Sequence, residues 1–211
     1  MLLALEGIAG AGKSTLRDRL LADAHAAQIA LGHIGQFSWL SLPSTHTLIG
    51  LRAGRPAATS DQALAAARTD LELHARHNLT PALTAGPLVA DRLTLSTACL
   101  LALLHHRPIQ DYVGPLAEVR PARAQLTVLV TTDPDLCQAR LQRRPTARRF
   151  AEHPETATRL AGLYDQAATA WTGITGLPVL RHPCTTETDL DLLAAACLDQ
   201  LRAAARPAAR I

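Results

Sequence analysis

Residues Gly7-Ile8-Ala9-Gly10-Ala11-Gly12-Lys13-Ser14 complete the pattern G-x-x-x-x-G-K-[ST], and the pattern works only as a tight loop between a strand and a helix. The flanks agree. Met1 to Glu6 is an apolar run of strand length, and Ser14-Thr15-Leu16-Arg17-Asp18-Arg19-Leu20-Leu21 opens an amphipathic helix. In such a junction the loop N–H groups and the positive end of the helix dipole converge on phosphates, and the Ser14 hydroxyl is placed to ligate Mg²⁺. Lys13 is also the only lysine in a chain with 21 Lys and Arg in all. Arginine serves wherever charge alone is needed, so the retained lysine points to its compact ammonium head. That head reaches between phosphate oxygens where a flat guanidinium does not fit. The sequence therefore predicts a nucleoside triphosphate site.

Length and composition bound the rest. A chain of 211 residues is enough for one large α/β domain with a sizeable core. Apolar residues make up 48% of it, yet no run approaches the roughly 20 that a spanning helix needs, so no membrane partner is expected. The loop lies too near the first residue for a removable leader, which gives a cytoplasmic expectation. Cys99, Cys137, Cys184 and Cys197 are scattered and read as reduced, small apolar residues. His74 with His77, and His105 with His106, lack the companions of a zinc site.

The formal charge of +3 is mild, but Arg140, Arg143, Arg144, Arg148 and Arg149 are clustered. Such a cluster suits a nucleic-acid patch, a solvated helix face or a lid over a triphosphate. Aromatic residues at 3% argue against a base-stacking platform, so no nucleic-acid partner is expected. The phosphate loop in the same domain favours a lid at residues 142–155, with a solvated face as the alternative.

Strands and helices alternate along the chain. Strands are expected at 2–6, 28–34, 88–91, 126–131 and 178–181, and helices at 14–26, 61–79, 94–106, 154–172 and 187–204, with one more opening at Asp133-Pro134. Ser60 is the expected N-cap of the 61–79 helix, Pro81 its interruption and Gly86 its end. The stretch from Gly35 to Ser60, punctuated by Pro43, Gly50, Gly54 and Pro56, is expected to be irregular. This alternation predicts a parallel sheet covered on both faces. The whole chain, 1–211, reads as a single domain without repeat or linker, ending in a frayed tail after Ala203.

A magnesium site beside the phosphate loop needs a carboxylate at the end of a neighbouring strand. Asp91 closes a continuous apolar run, whereas Asp133 is already explained as a helix cap. Ser14 and Asp91 are therefore the candidate metal residues, with another loop cap as the alternative for Asp91.

The segment Glu6-Gly7-Ile8-Ala9-Gly10-Ala11-Gly12-Lys13-Ser14-Thr15 resembles the opening of thymidylate kinases, and Asp91-Arg92 with Ser96-Thr97 resembles their Asp-Arg motif. Asp70-x-x-x-His74, Pro81-Ala82-Leu83, Asp133-Pro134-Asp135 through Arg140, Arg143 and Arg144, and Tyr164 fall at that family's intervals. The resemblance implies a three-layer α/β P-loop kinase with a five-stranded parallel sheet in the order 2-3-1-4-5 and an arginine-rich lid. It implies ATP and Mg²⁺, held by Gly7, Gly10, Ala11, Gly12, Lys13, Ser14, Thr15, Arg140 and Arg148. Lys13, Asp91, Arg92 and Arg144 would be catalytic, with Arg92 on the acceptor side.

Departures fall on that acceptor side. The Arg-Glu-Pro-Gly-Gly segment is replaced by His33-Ile34-Gly35-Gln36-Phe37-Ser38-Trp39, Leu71 stands where an arginine is usual, Leu93 where an aromatic is usual, and Ala98-Cys99-Leu100-Leu101 has no Tyr-Gln pair. The same donor used on a different small-molecule acceptor is the reading this supports. One possibility is a kinase acting on a hydroxyl of a nucleoside, sugar or aminocyclitol- or aminoglycoside-like metabolite. The second is a nucleoside monophosphate kinase, and the third a nucleotide-dependent switch, though the guanine motif Asn-Lys-x-Asp is ruled out by the single lysine. A hydroxyl acceptor needs a base, for which His33, Asp70, Glu72 and Asp91 are candidates, Asp70 and Glu72 being more readily read as solvated helix carboxylates. A homodimer is left open.

Overall fold

The first strand decides the architecture, because every residue from Leu2 to Glu6 is buried and the strand can only lie in the middle of a sheet. The computed structural model describes residues 1–205. In it β1 (Leu2–Glu6) runs parallel to β3 (Leu88–Asp91) on one side and to β4 (Leu126–Val130) on the other. The shorter β2 (Gly32–Gly35) and β5 (Val179–His182) form the edges, giving the order β2-β3-β1-β4-β5. This is the five-stranded parallel α/β fold expected from the sequence. Near-continuous apolar strands rather than alternating ones follow from helices covering both faces.

Helix α1 (Lys13–Ala26) packs with α9 (Glu187–Ala205), while α5 (Thr94–His105), α6 (Gln110–Ala117) and α8 (Pro154–Thr175) pack with one another, and α3 (Ser60–His74) lies against α5 and α6. Leu3, Leu5, Leu16, Leu20, Val89, Val128 and Trp171 lie in the shared core. Each fully buried leucine contributes on the order of 1.5–3 kcal/mol. No helix among the described residues is long and apolar enough to cross a membrane.

The structure departs from the sequence expectations where turn residues hide a helix. The stretch 35–60 contains α2 (Leu42–Arg52), which Ser41 caps by accepting from the Ser44 N–H at 3.4 Å and which Pro43 enters in its first turn. The proline belongs at a helix start, not in a loop. The cap of α3 is Thr59 rather than Ser60, its hydroxyl accepting from the Gln62 N–H at 3.1 Å. Beyond His74 the helix widens into a π turn at Ala75–Leu79 before α4 (Thr80–Ala85). Pro81 lacks the N–H for the next ladder bond, and the wider turn absorbs that loss. Gly86 then ends the helix, as expected. Helix α6 was not anticipated, β2 starts only at Gly32, and β5 is shifted by one residue. Asp133 and Pro134 open α7 (Pro134–Gln142) as expected. Of the tail expected to fray after Ala203, residues 204–205 belong to α9, and residues 206–211 lie outside the described residues.

Candidate functional site

The carboxyl ends of β1, β3 and β4 meet at one edge of the sheet, the edge where ligands of open α/β folds bind. Gly7, Gly10 and Gly12 take φ of +131°, +82° and +110°, which a side chain would strain. Space excludes one as well. A Cβ at Gly7 would lie 2.5 Å from the Val130 carbonyl oxygen, and one at Gly10 2.6 Å from that of Cys137, so the loop is pressed against β4 and α7. Ala11 has no exposed side chain. Its carbonyl accepts from Thr132 Oγ1 at 2.8 Å, and the Thr132 hydroxyl oxygen in turn accepts from the Cys184 N–H at 3.1 Å. Thr132 thus ties the loop to the turn between β5 and α9.

Lys13 opens α1 and folds back, its Nζ donating to the Ile8 carbonyl at 2.5 Å. Burial pushes its pKa well down, and Arg92 pushes the same way while Asp91 and Glu6 oppose. Ser14 and Thr15, on the next positions of the helix, face solvent. With Gly10, Gly12, Lys13, Asp91, Arg92, Arg140 and Arg144 they line one cleft of about 570 Å³.

Asp91 lies across from Leu5 on β1 and Gly35 on β2. One of its oxygens accepts from Arg17 Nη1 at 2.8 Å, a pair whose side chains are 23% and 21% exposed. Ser14 and Asp91 offer hard oxygen donors on the same cleft wall, and among the described residues no cluster of three or more His, Cys, Asp or Glu competes for a metal. Such a sparse oxygen set fits Mg²⁺, which keeps waters and substrate phosphates as most of its ligands. Asp133 is elsewhere, accepting from the Asp135 and Leu136 N–H groups at 2.8 and 3.4 Å as a helix cap.

Arg92, with φ of +69°, is held by a network that was not legible in the chain. Its Nη1 lies 2.8 Å from the Gly7 carbonyl, 3.0 Å from Ser96 Oγ and 2.6 Å from the Tyr164 hydroxyl. Ser96 Oγ and Tyr164 are themselves 2.7 Å apart. Behind them Glu6, 1% exposed, accepts from the N–H groups of Leu93, Leu95 and Ser96 at 3.0, 3.1 and 3.1 Å and from the Ser96 hydroxyl. Burial raises the Glu6 pKa, and the Ser96 hydrogen bond and Arg92 charge counter it. A carboxylate at the amino end of α5 also meets the positive end of that helix. The only sequence signal for this role is an acidic residue closing a wholly buried strand.

The arginines of the cluster separate. Arg140, on α7, reaches the Gly10 carbonyl at 3.3 Å and the Cys184 and Thr185 carbonyls at 2.8 and 3.1 Å, bracing the loop against the β5–α9 turn. Arg144 and Arg149 line the cleft, but Arg148 does not: its Nη1 donates to Gln138 Oε1 at 2.6 Å. Arg143 is exposed and also lies off the cleft wall. The strap between α7 and α8, with a short 3₁₀ turn at Phe150–Glu152, lays the Phe150 ring on Gly54. At Gly54, φ is +79° and an added Cβ would sit 2.4 Å from that ring.

Beside the cleft is a second chamber of about 130 Å³, lined by Gln36, Arg52, Arg92, Ser96, Arg149 and Tyr164 among others. Neither His33, Asp70 nor Glu72 lines it or the cleft, while Asp91 lines the cleft. His33 is exposed on the edge strand, and Glu72 pairs with Arg68 at 3.0 Å. Asp70 is not the solvated carboxylate that its helical setting suggested. It is 1% exposed and accepts from the Ser38 N–H, Ser38 Oγ and the Trp39 N–H at 3.0, 2.6 and 3.1 Å. His74 holds the same exit from β2, its Nε2 lying 3.0 Å from the Gly35 carbonyl oxygen. Trp39 lines the cleft in a left-handed conformation, φ +57°, with the Arg52 guanidinium 5.7 Å from its ring centre.

Neither a scan of the chain against protein-family models nor a search of the curated proteins finds a match.

Proposed function

We propose that this protein is an ATP- and Mg²⁺-dependent phosphotransferase of thymidylate-kinase type, moving the γ-phosphoryl group to a small acceptor in the chamber beside the phosphate loop. The observation that carries this reading is the convergence of Lys13, Ser14, Asp91 and Arg92 on one cleft that shares Gln36, Arg52, Arg92 and Arg149 with a smaller chamber. Gly10, Gly12 and the amino end of α1 would hold the donor phosphates, and Lys13 would turn from the Ile8 carbonyl onto the β- and γ-phosphates. Magnesium, held by Ser14 and through water by Asp91, supplies charge neutralisation of the transferred group. Arg92 faces both spaces and would meet the in-line transition state between donor and acceptor. Arg140 and Arg144 would neutralise or cover the nucleotide from the strap side, which would then act as the arginine-rich lid.

Transfer to a hydroxyl of an acceptor other than thymidylate is the first reading. It rests on Leu71, Leu93 and the absent Tyr-Gln pair. Asp91 is then the base, since the other candidates lie away from both spaces. That same dispersal favours a second reading, a nucleoside monophosphate kinase, because an ionised phosphate oxygen attacks without a base. The test is ADP release from ATP-Mg²⁺ with monophosphates and with hydroxylated compounds. A hydroxyl acceptor gives turnover of hydroxylated compounds that Asp91→Asn abolishes, a phosphate acceptor gives turnover of monophosphates, and no ADP above background with any compound, alongside no ATP-dependent thermal shift, defeats both.

A further inference from the structure

Arg52 and Arg149 line both the cleft and the chamber, whereas Arg140, Arg144, Glu187 and Leu190 line the cleft alone. A γ-phosphate that faces the chamber leaves the sugar and base of its nucleotide to this second group of residues. A Cβ at Gly12 would lie 3.4 Å from that of Cys184, so the turn from β5 into α9 borders the phosphate loop at the same end. The groups that could read a base are therefore those of residues 183–186 and of the side chains beside them.

The backbone of that turn is already paired. Arg140 Nη2 donates to the Cys184 and Thr185 carbonyls at 2.8 and 3.1 Å, the Pro183 carbonyl lies 2.7 Å from His182 Nδ1, and the Thr186 carbonyl accepts from the Leu190 N–H at 3.4 Å. The Cys184 N–H donates to Thr132 Oγ1 at 3.1 Å, and those of Thr185 and Thr186 donate to the Asp189 carboxylate at 2.9 and 2.8 Å. The Asp189 N–H returns to Thr186 Oγ1 at 3.1 Å, a reciprocal cap on α9. The amino groups of adenine and cytosine need an acceptor, and the carbonyls of guanine and uracil need a donor. Neither finds an unpaired backbone partner here. Glu187 is turned onto Arg19 of α1 at 2.9 Å, with its side chain 78% exposed. What remains is the apolar Leu190 and the guanidinium plane of the exposed Arg144, surfaces that hold any base by its face.

We infer that the donor site reads the triphosphate and not the base, so that ATP, GTP, CTP and UTP serve it alike and their relative abundance sets which of them is used. This rests on the reading of the cleft as a nucleoside triphosphate site. A site that hydrogen-bonds one substrate edge rejects the wrong one by about 10⁴-fold or more, because its buried polar groups are then left unpaired. A turn whose polar groups are paired within the fold leaves none unpaired with any base.

The experiment measures binding of the Mg²⁺ complexes of ATP, GTP, CTP and UTP to the full chain by isothermal titration calorimetry, without an acceptor. The four dissociation constants should fall within about fivefold of one another, and tripolyphosphate, which has no base, should displace each of the four. A wider spread would overturn the proposal, as would tripolyphosphate that displaces none of them. Glu187→Gln should leave the ratio of GTP to ATP binding unchanged. A fall in that ratio would make Glu187 a reader of guanine and overturn the proposal as well. Failure of the nucleotide reading shows separately, as no binding of any of the four, or as binding that Lys13→Ala leaves intact.

Discussion

The two sides of the cleft are made from different kinds of sequence. The phosphate loop, on the donor side of the proposed transfer, is a run of consecutive residues, Gly7 to Thr15, whose glycines, lysine and hydroxyls lie close together along the backbone. The chamber, the acceptor side of that proposal, is lined by single residues, among them Gln36, Arg52, Arg92, Ser96, Arg149 and Tyr164, brought together by the fold. A contiguous site constrains its own geometry and therefore its own sequence, while a dispersed one is constrained only by what surrounds it. The donor side can thus stay unaltered while the acceptor side changes residue by residue.

The largest effect should come from the donor side. Lys13→Ala and Lys13→Arg should each lower ATP-dependent turnover by about 10³-fold or more, with circular dichroism unchanged, because neither residue can serve as a compact donor at the phosphates. Near wild-type turnover by the arginine variant would erase the distinction between a fixed donor side and a changeable acceptor side. Thymidylate tests the other half. With Leu71 and Leu93 where the thymidylate kinases have polar and aromatic contacts, its kcat/KM should lie roughly 10²–10⁴-fold below that of the true acceptor. Efficient turnover of thymidylate would show that the acceptor side has not diverged.

Asp91→Asn should lower turnover by about 10²-fold and raise the magnesium requirement, and Asp133→Asn should stay within about twofold, since asparagine caps a helix equally well. A magnesium titration with the opposite ranking would move the metal site to β4. Tyr164→Phe sharpens the comparison further. It removes one hydrogen bond to Arg92, costing about 1.5–3 kcal/mol, and should raise the acceptor KM about tenfold while leaving that for ATP unchanged. Equal shifts in both constants would mean that Arg92 serves the two sides alike.

The smallest effect is one of linkage. The Lys13 pKa is lowered in the folded chain, so between that lowered value and 10.5 the unfolded chain holds a proton that the folded chain has lost. Stability then rises with pH through that window, and the contribution is absent where both forms are protonated. Denaturant midpoints measured without nucleotide should show this rise, Lys13→Met should remove it, and ATP-Mg²⁺, which favours the charged ammonium, should flatten it.

The parallel sheet and the phosphate loop were legible because alternating strands and helices and a glycine-rich junction each leave a local signature, whereas the strand order followed only from the family resemblance. Asp91-Arg92 was legible for the same reason, standing at the end of an apolar run. Glu6 was not, since its role depends on the N–H groups of Leu93, Leu95 and Ser96, far along the chain. Arg52 was lost with the helix it ends, because Pro43 and Gly50 read as breakers although one starts a helix and the other is carried within it. Asp70 sits on a helix face like many solvated carboxylates, and only the return of Ser38 and Trp39 onto it makes it a buried anchor. Arg148 and Arg149 are neighbours whose directions only the strap decides.

Trp39 carries a consequence for how this site could change. Its left-handed backbone, imposed by the Asp70 anchor, is a conformation that costs a non-glycine residue about 1 kcal/mol or more. Replacement by glycine would relieve that strain while opening the cleft wall, so loss of the largest side chain there need not lower folding stability. Most reshaping of a binding surface is limited by the stability it removes. Here one wall position is free of that limit, which makes residue 39 a natural point of entry for selecting variants with a widened cleft.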